Sequence, residues 1–504
     1  MQTSPYDIVV IGGGINGVGI AADAAGRGLR VLLAEAEDLG GATSSASSKL
    51  IHGGLRYLEQ YAFRLVREAL AEREVLLAKA PHIIWPVQFV LPQTPGMRSA
   101  PVLQAGLFLY DHLSSRRALE GSRRLDLRSN PVGKPLADGL SRGFSYWDCW
   151  VDDARLVVLN AIAARENGAE VLTRTPVTAL SAADGLWQVT LNSGGSARTV
   201  AARTIVNAAG PWVGPVARMA LGGRNAPPPD IRLVKGSHIV VPRVAGADAA
   251  YLFQNSDGRV VFALPFESRF TLIGTTDTPY GRDPRAAAVG AEDEAYLLAV
   301  ANRYFRQKLS PADIVWRFAG VRPLDDDGNT NPAAVSRDYR LQLDAEASPP
   351  VLHVIGGKIT TYRKLAEAAL ELLRPHLKPW CAMGAAWTAS AALPGGDVGP
   401  AGYNAWFDAL AGRCNGFRRN ELARLARRYG TRIDTLLGGA GSASDLGVDL
   451  GGGLTRREVQ YLISEEWAMT ADDIVWRRTK TALHVPAGER NALLARVRAE
   501  IAAA

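Results

Sequence analysis

One short stretch limits what this chain can fold into more than any other. Gly12-x-Gly14-x-x-Gly17 lies between the β-branched run Tyr6 to Ile11 and the small, apolar run Ile15 to Ala25. A second apolar run, Arg30 to Glu35, follows Gly26-Arg27-Gly28. Strand, glycine turn, helix and strand within about 30 residues form a β-α-β unit, the opening of a doubly wound α/β sheet. Each residue type has a mechanical reason. Gly12 permits the tight turn, Gly14 lets backbone approach a pyrophosphate at the helix N-terminus, and Gly17 allows close helix–strand contact. Glu35, at the end of the second strand, can accept hydrogen bonds from a ribose. A merely tight turn is the plain alternative, but the strand and helix around it favour a dinucleotide.

Whether that dinucleotide is NAD or FAD turns on the next segment. Gly41 to Gly54 (GATSSASSKLIHGG) offers hydroxyls at Thr43, Ser44 and Ser45, a cation at Lys49 and a small-residue turn around His52. Such a loop suits an extended cofactor with phosphates and a ribityl chain, so it favours non-covalent FAD. Local backbone capping by Ser and Thr would also explain the hydroxyls.

The chain has 504 residues, enough for two or three domains. Returns to the first sheet are expected at Ala169 to Leu180, at Arg203 to Gly210 with its glycine turn, and at Val351 to Ile355. Leu65 to Ala80 and Thr361 to Arg374 have helical spacing. Alternation between Ile231 and Ile273 predicts antiparallel strands of a second domain, and the region after Leu393 to Pro400 is helical. The expected division is a discontinuous cofactor domain (1–85, 150–230, 345–388), a substrate domain (86–149, 231–344) and a helical C-terminal domain (390–504).

Three cysteines without ligand spacing (Cys149, Cys381, Cys414) argue against structural zinc or a disulfide framework and for a reducing, cytoplasmic setting. Ile8 to Ala25 lacks the basic flank of a signal sequence, and glycines interrupt it. Lys and Arg exceed Asp and Glu by 57 to 50, a net charge of +7. That surplus alone does not choose among acidic small molecules, lipid and nucleic acid.

Arg56, Arg322 and Lys358 fall in separate segments, each beside glycines or at the expected end of a strand. Small neighbours let a ligand approach, and a phosphate dianion needs convergent donors of this kind. Solvated or ion-paired cations are the plain alternative. His238, in an apolar strand, could accept a hydroxyl proton near neutral pH, or be a satisfied core histidine. His52 competes for that role, although its glycine neighbours suit a cofactor contact equally. Gly356-Gly357, opening a helix at Thr360, could aim N–H groups and a helix dipole at a flavin ring. Asp277 and Asp152-Asp153 are expected to be caps or ion-pair partners.

These motifs together resemble the FAD-dependent glycerol-3-phosphate dehydrogenases, respiratory enzymes that pass electrons to quinone. The matching stretches are IGGGINGVGIAADAAGRGL, ATSSASSKLIHGGLRYLE, WVDDARLV, NAAGPWV, KGSHIVVPR, IGTTD, GVRPL, GGKITTYRKLAE and WRRTK (Trp476 to Lys480). They span nearly the whole chain. The resemblance implies a flavin domain of the glutathione-reductase/amine-oxidase type, an antiparallel substrate domain and a helical C-terminal domain. It also implies that Arg56, Tyr57, Arg322 and Lys358 hold glycerol 3-phosphate near FAD. With it, His238 becomes the expected base, and Gly210, Gly357 and Thr360 expected cofactor contacts. A membrane quinone is the implied acceptor.

An amino- or hydroxy-acid oxidase on the same fold is the first rival, but two arginines and a lysine suit phosphate better than a single carboxylate. A nucleic-acid-binding protein is the second, and no recognisable module supports it. Two segments raise the question of peripheral attachment to anionic lipid. Gly412 to Arg432 carries seven arginines and one glutamate, and Pro101 to Leu113 is apolar and followed by Arg116-Arg117. The oligomeric state, a homodimer included, is left open.

Overall fold

The computed structural model describes residues 4–95, 97–115, 118–222, 229–326, 338–345 and 349–504. Arg116 and Arg117 lie outside them. Tyr6–Ile11 and Val31–Ala34 pair in parallel, with Ile15–Gly26 as the helix between them. The strands are continuously apolar because both faces are covered. Ser196–Asn207 and then Val351–Gly356 extend the sheet on one side, and Glu170–Leu172 on the other, all in parallel. Of the expected return Ala169 to Leu180, only its first part joins this ladder. The rest turns into a hairpin, Val177–Ala183 with Leu186–Ser193, which leans on Ser196–Asn207. Tyr339–Asp344 closes the far edge antiparallel. Helices Asp153–Glu166 and Tyr362–Leu377 pack beside Ile15–Gly26, and their inner faces form one buried core with the sheet.

Among the described residues the second sheet has ten strands. Ile231–Pro242 pairs antiparallel with Phe270–Gly274 and with Trp316–Asp325. The sheet continues through Val260–Phe266 and Ala250–Gln254 to Ile84–Pro92 and Arg142–Val151. It also takes Leu50–Ile51, whose partners are Trp150 and Cys149. The loop after the nucleotide turn therefore passes from the first sheet into the second. The two sheets meet along that loop, and the candidate site lies there.

Helices Gly402–Arg413, Arg419–Tyr429, Arg456–Glu466 and Arg490–Ala503 enclose a separate C-terminal core. The expectation that Gly412 to Arg432 presents a free basic face is corrected here. Arg424 and Arg428 bond Glu458, at 3.1 and 2.8 Å, and Arg427 lies over the Tyr403 ring at 3.8 Å. Arg413, Arg418, Arg419 and Arg432 are each ion-paired. Arg424, Arg428 and Arg432 take partners from distant segments, while Arg413, Arg418 and Arg419 pair with nearby carboxylates and stay largely exposed. Pro101 to Leu113 behaves differently: helix Ala100–His112 buries only Leu107 and Tyr110, and it exposes Val102, Phe108 and Leu109.

Candidate active site

A cavity of about 1050 Å³ runs from the Glu35 strand end, past the glycine turn, to the second sheet and the Gly356–Lys358 turn. At its nucleotide end the three glycines have different duties. Gly12 has φ +111° and faces Ala208 so closely that a Cβ would stand 2.5 Å from its carbonyl oxygen. A Cβ on Gly17 would stand 1.9 Å from the Gly12 carbonyl oxygen, so Gly17 serves helix–strand contact and does not line the cavity. Gly14 does line it. It caps helix Ile15–Gly26, and the only atom near its missing Cβ is Ser44 Oγ at 3.2 Å. That hydroxyl accepts from Ile15 N–H at 3.0 Å, while the helix end presents its positive pole to the cavity.

Glu35 accepts from Gly13 N–H at 2.5 Å and from Glu37 N–H at 2.7 Å. Burial pushes its carboxyl up, opposed by those two donors. The acid is thus oriented before any ligand arrives. Thr43, Ser44 and Ser45 form a one-turn helix on the cavity wall, and Thr43 donates to the Val321 carbonyl at 2.6 Å. Gly210, at φ +56°, and Gly357, at φ +94°, lie on the walls as glycine turns. Asn16 donates to the Gly356 carbonyl at 3.1 Å and ties that turn to the first helix. Lys49 also lines the cavity, but its ammonium bonds Asp153 at 2.7 Å and the Ser45 carbonyl at 3.0 Å. Thr360 is fully buried outside the lining and accepts from His52 N–H at 3.2 Å.

At the other end the sheet register gathers the substrate candidates. His238 faces Phe318 across one ladder and Gly274 across the other. Its ring stacks on Phe318 at 4.9 Å, and a Cβ on Gly274 would stand 2.1 Å from the imidazole. Ser48 Oγ lies 3.0 Å from Nε2. Nδ1 is buried with no hydrogen-bond partner among the described residues. Burial, with the Lys49 and Arg322 charges adding to it, pushes His238 down to about 3. Burial thus favours the neutral imidazole and bears against the sequence expectation of a base titrating near neutrality.

Arg322 bonds Asp277 at 2.8 Å and the Thr276 carbonyl at 2.9 Å, so its guanidinium is fixed over Gly236. Lys358 lies 3.6 Å from the Tyr57 ring centre. Arg56 and His52 line the same cavity, with His52 edge-on to Phe262. All four proposed substrate residues and His238 thus line one cavity. Sequence reasoning gave no role to Ser48, Phe318, Trp316 or Asp38, which also line it. Ser48 stood inside a hydroxyl-rich loop and could have been noticed. Phe318 is found only through strand pairing.

The bare Gly14, the helix end, the oriented Glu35 and an orphaned imidazole nitrogen fit a dinucleotide with a reacting ring. Fold and site together define a flavin-dependent oxidoreductase. The profile of the family described as FAD dependent oxidoreductase matches residues 7–363, and that of the C-terminal domain of alpha-glycerophosphate oxidase matches 386–503. A glycerol-3-phosphate dehydrogenase of Pseudomonas aeruginosa is 55% identical over 95% of this chain and 92% of its own. A D-erythritol 1-phosphate dehydrogenase of Brucella abortus is 51% identical over 97% of each. The solved glycerol-3-phosphate dehydrogenase of Bacillus halodurans, complexed with FAD, superposes with a TM-score of 0.79 at 28% identity, covering 100% of this chain and 92% of that one. The chain belongs to the FAD-dependent oxidoreductase family, and within it to the glycerol-3-phosphate dehydrogenases, and its cofactor is FAD.

Proposed function

We propose that the protein oxidises sn-glycerol 3-phosphate to dihydroxyacetone phosphate and passes the electrons to a membrane quinone. The observation that carries this reading is that Arg322, Lys358 and Arg56 line the same cavity as a buried imidazole. FAD, once bound, would supply the two-electron oxidising power for the C2 alcohol. Glu35, Gly14 and the first helix end hold the cofactor, with Gly210 and Gly357 shaping the turns around it. Arg322, Lys358 and Arg56 take the phosphate, and Asp277 keeps the Arg322 fork in place. Tyr57 packs beneath Lys358. His238, whose Nε2 lies 3.0 Å from Ser48 Oγ, lines the cavity and is the side chain we assign to the C2 hydroxyl proton. The same geometry supports an unequal role for His52, whose backbone is bound to Thr360: it shapes the loop that bears Arg56. The division into a cofactor, a substrate and a C-terminal domain belongs to this reading.

Quinone is membrane-dissolved, so the protein must reach a bilayer. No helix among the described residues is long and apolar enough to cross one. Tyr61, at 80% exposure, and Phe63 are in ring contact just after the Leu55–Gln60 turn, which touches helix Ala100–His112, and that helix exposes Val102 and Phe108, the latter at 63%. We assign peripheral attachment, on the cytoplasmic side, to these exposed apolar side chains, with anionic lipid as the surface they meet.

The deciding experiment is anaerobic bleaching of the bound flavin by glycerol 3-phosphate, D-erythritol 1-phosphate, glycerol and lactate. Rapid bleaching by glycerol 3-phosphate alone is the expected result. Preference for the tetritol phosphate would keep the chemistry and change the substrate, and bleaching by glycerol or lactate at equal efficiency would end the phosphate reading.

A further inference from the structure

Trp476–Lys480 lies in the C-terminal domain, yet its long side chains end elsewhere. Trp476 stacks on Trp316 of the second sheet at 5.1 Å. Lys480 bonds Asp152, the cap of helix Asp153–Glu166, at 2.6 Å. Arg477 and Arg478 both bond Asp38: Arg477 at 2.6 Å, Arg478 through two nitrogens at 2.7 and 2.8 Å. Asp38 and Arg478 are almost completely buried, with side-chain exposures of 2% and 0%.

Asp38 stands in the loop that follows the ribose acid, leads to Thr43–Ser45 and packs against the glycine turn. That loop touches the turn at three points: Glu35 on Gly13 N–H, Gly40 N–H on the Gly13 carbonyl at 3.0 Å, and Ser44 on Ile15 N–H. Its span from Glu35 to Ser44 is otherwise irregular backbone, and Asp38 is where another domain holds it. A buried carboxylate there is stable only with its cations in place.

We propose that the C-terminal domain is a clamp on the cofactor pocket: Arg477 and Arg478, acting through Asp38, hold residues 36–45 against the glycine turn and thereby set the affinity for FAD. Arg478 stands outside the cavity lining and acts through Asp38, so it is a positioning residue, whereas Asp38 and Arg477 also reach the cavity wall and combine loop placement with charge at that wall. The inference needs only the cofactor assignment, and the glycerol 3-phosphate readout below rests on the proposed function.

The test uses full-length protein stripped of flavin and retitrated with FAD, followed by quenching of flavin fluorescence. Asp38→Asn keeps shape and removes charge, and Arg477→Met alters the half-accessible member of the pair. Each is expected to raise the Kd for FAD about tenfold, the equivalent of one charge-assisted bond, and Arg477→Lys should restore most of the loss. At saturating FAD the KM for glycerol 3-phosphate should move by less than about twofold, because the substrate cations sit on other elements. FAD affinity equal to wild type, with a lowered Tm of the flavin-free protein, would overturn the proposal and leave the segment as domain cement. A KM shift as large as the Kd shift would overturn it as well. If glycerol 3-phosphate is not a substrate, the FAD titration still decides.

Discussion

At the scale of single residues, the site sorts its cations by what each leaves behind. Removing Lys358 takes away an ammonium that packs on Tyr57. Removing Arg322 also deprives Asp277 of its 2.8 Å guanidinium partner, so a carboxylate then faces the incoming phosphate. Lys358→Ala should therefore raise KM by the loss of one charge-assisted contact, about 1.5–3 kcal/mol, and Arg322→Ala by more. Arg322→Ala with Asp277→Ala should recover part of that difference. Steady-state KM values for the three variants check the ordering, and equal effects would show that Asp277 does not face the ligand. His238 yields a second expectation. Its imidazole, at about 3, carries no charge from pH 5.5 to 9, so His238→Ala should slow anaerobic flavin reduction by about 10²–10⁴-fold at every pH in that range. An acid limb near pH 6 in kcat/KM then belongs to the substrate phosphate, whose second pKa is about 6, and it should survive the substitution. A limb that disappears with His238 would mean that the imidazole titrates there. The sequence supplied His238 as a candidate but not its environment, because Phe318, Gly274 and Ser48 reach it only through strand pairing and a loop crossing.

The glycine turn and the apolar helix carry the expectations at the scale of elements. Gly14→Val should give folded protein without FAD, because its Cβ would meet only a serine hydroxyl 3.2 Å away while the side chain intrudes on the cavity. Gly17→Val should fail to fold, because the obstacle is backbone at 1.9 Å. Flavin absorbance and circular dichroism separate the two outcomes. Phe108→Ser with Val102→Ser should weaken binding to vesicles, with little sensitivity to salt, since these side chains are apolar and the arginines of Arg419–Tyr429 are already paired. Undiminished vesicle binding would place the membrane contact elsewhere. The opening β-α-β unit, the alternating strands of the second sheet and the helical C-terminal region were all legible, because each follows a local period of hydrophobicity. What helix Ala100–His112 faces was not legible, since an apolar helix reads alike whether it meets a core or a membrane. The pairing of Arg424, Arg428 and Arg432 was equally hidden, because Glu458, Glu166 and Glu465 lie farther along the chain or well before it.

Across the whole molecule, buried histidines set the response to acid. Burial pushes His82 and His238 down to about 3 and His353 to about 4, from an ordinary value of 6.5. Each stands in a different region: His82 against Gly395 and Gly430 at the C-terminal junction, His238 in the second sheet and His353 in the first. Between pH 6.5 and 4 the unfolded chain binds a proton at each of these positions and the folded chain does not. Stability therefore rises with pH in that window and falls on acidification, by about 1.36 kcal/mol per pH unit for each histidine. Three such groups remove about 4 kcal/mol per unit once the unfolded forms are fully protonated, which over two units rivals the total stability of about 5–15 kcal/mol of an ordinary fold. Denaturant unfolding of the FAD-free protein should show nearly constant stability from pH 8 to 7 and a steep loss from pH 6 to 4.5. His82 is the cleanest of the three to remove, since it does not line the cavity and neither ring nitrogen has a hydrogen-bond partner among the described residues. His82→Leu should leave FAD binding intact at neutral pH and reduce the slope of the acid limb by about a third. A slope equal to that of the wild type would mean that His82 takes up its proton inside the folded protein, with Arg155 and Arg427 nearby failing to oppose it.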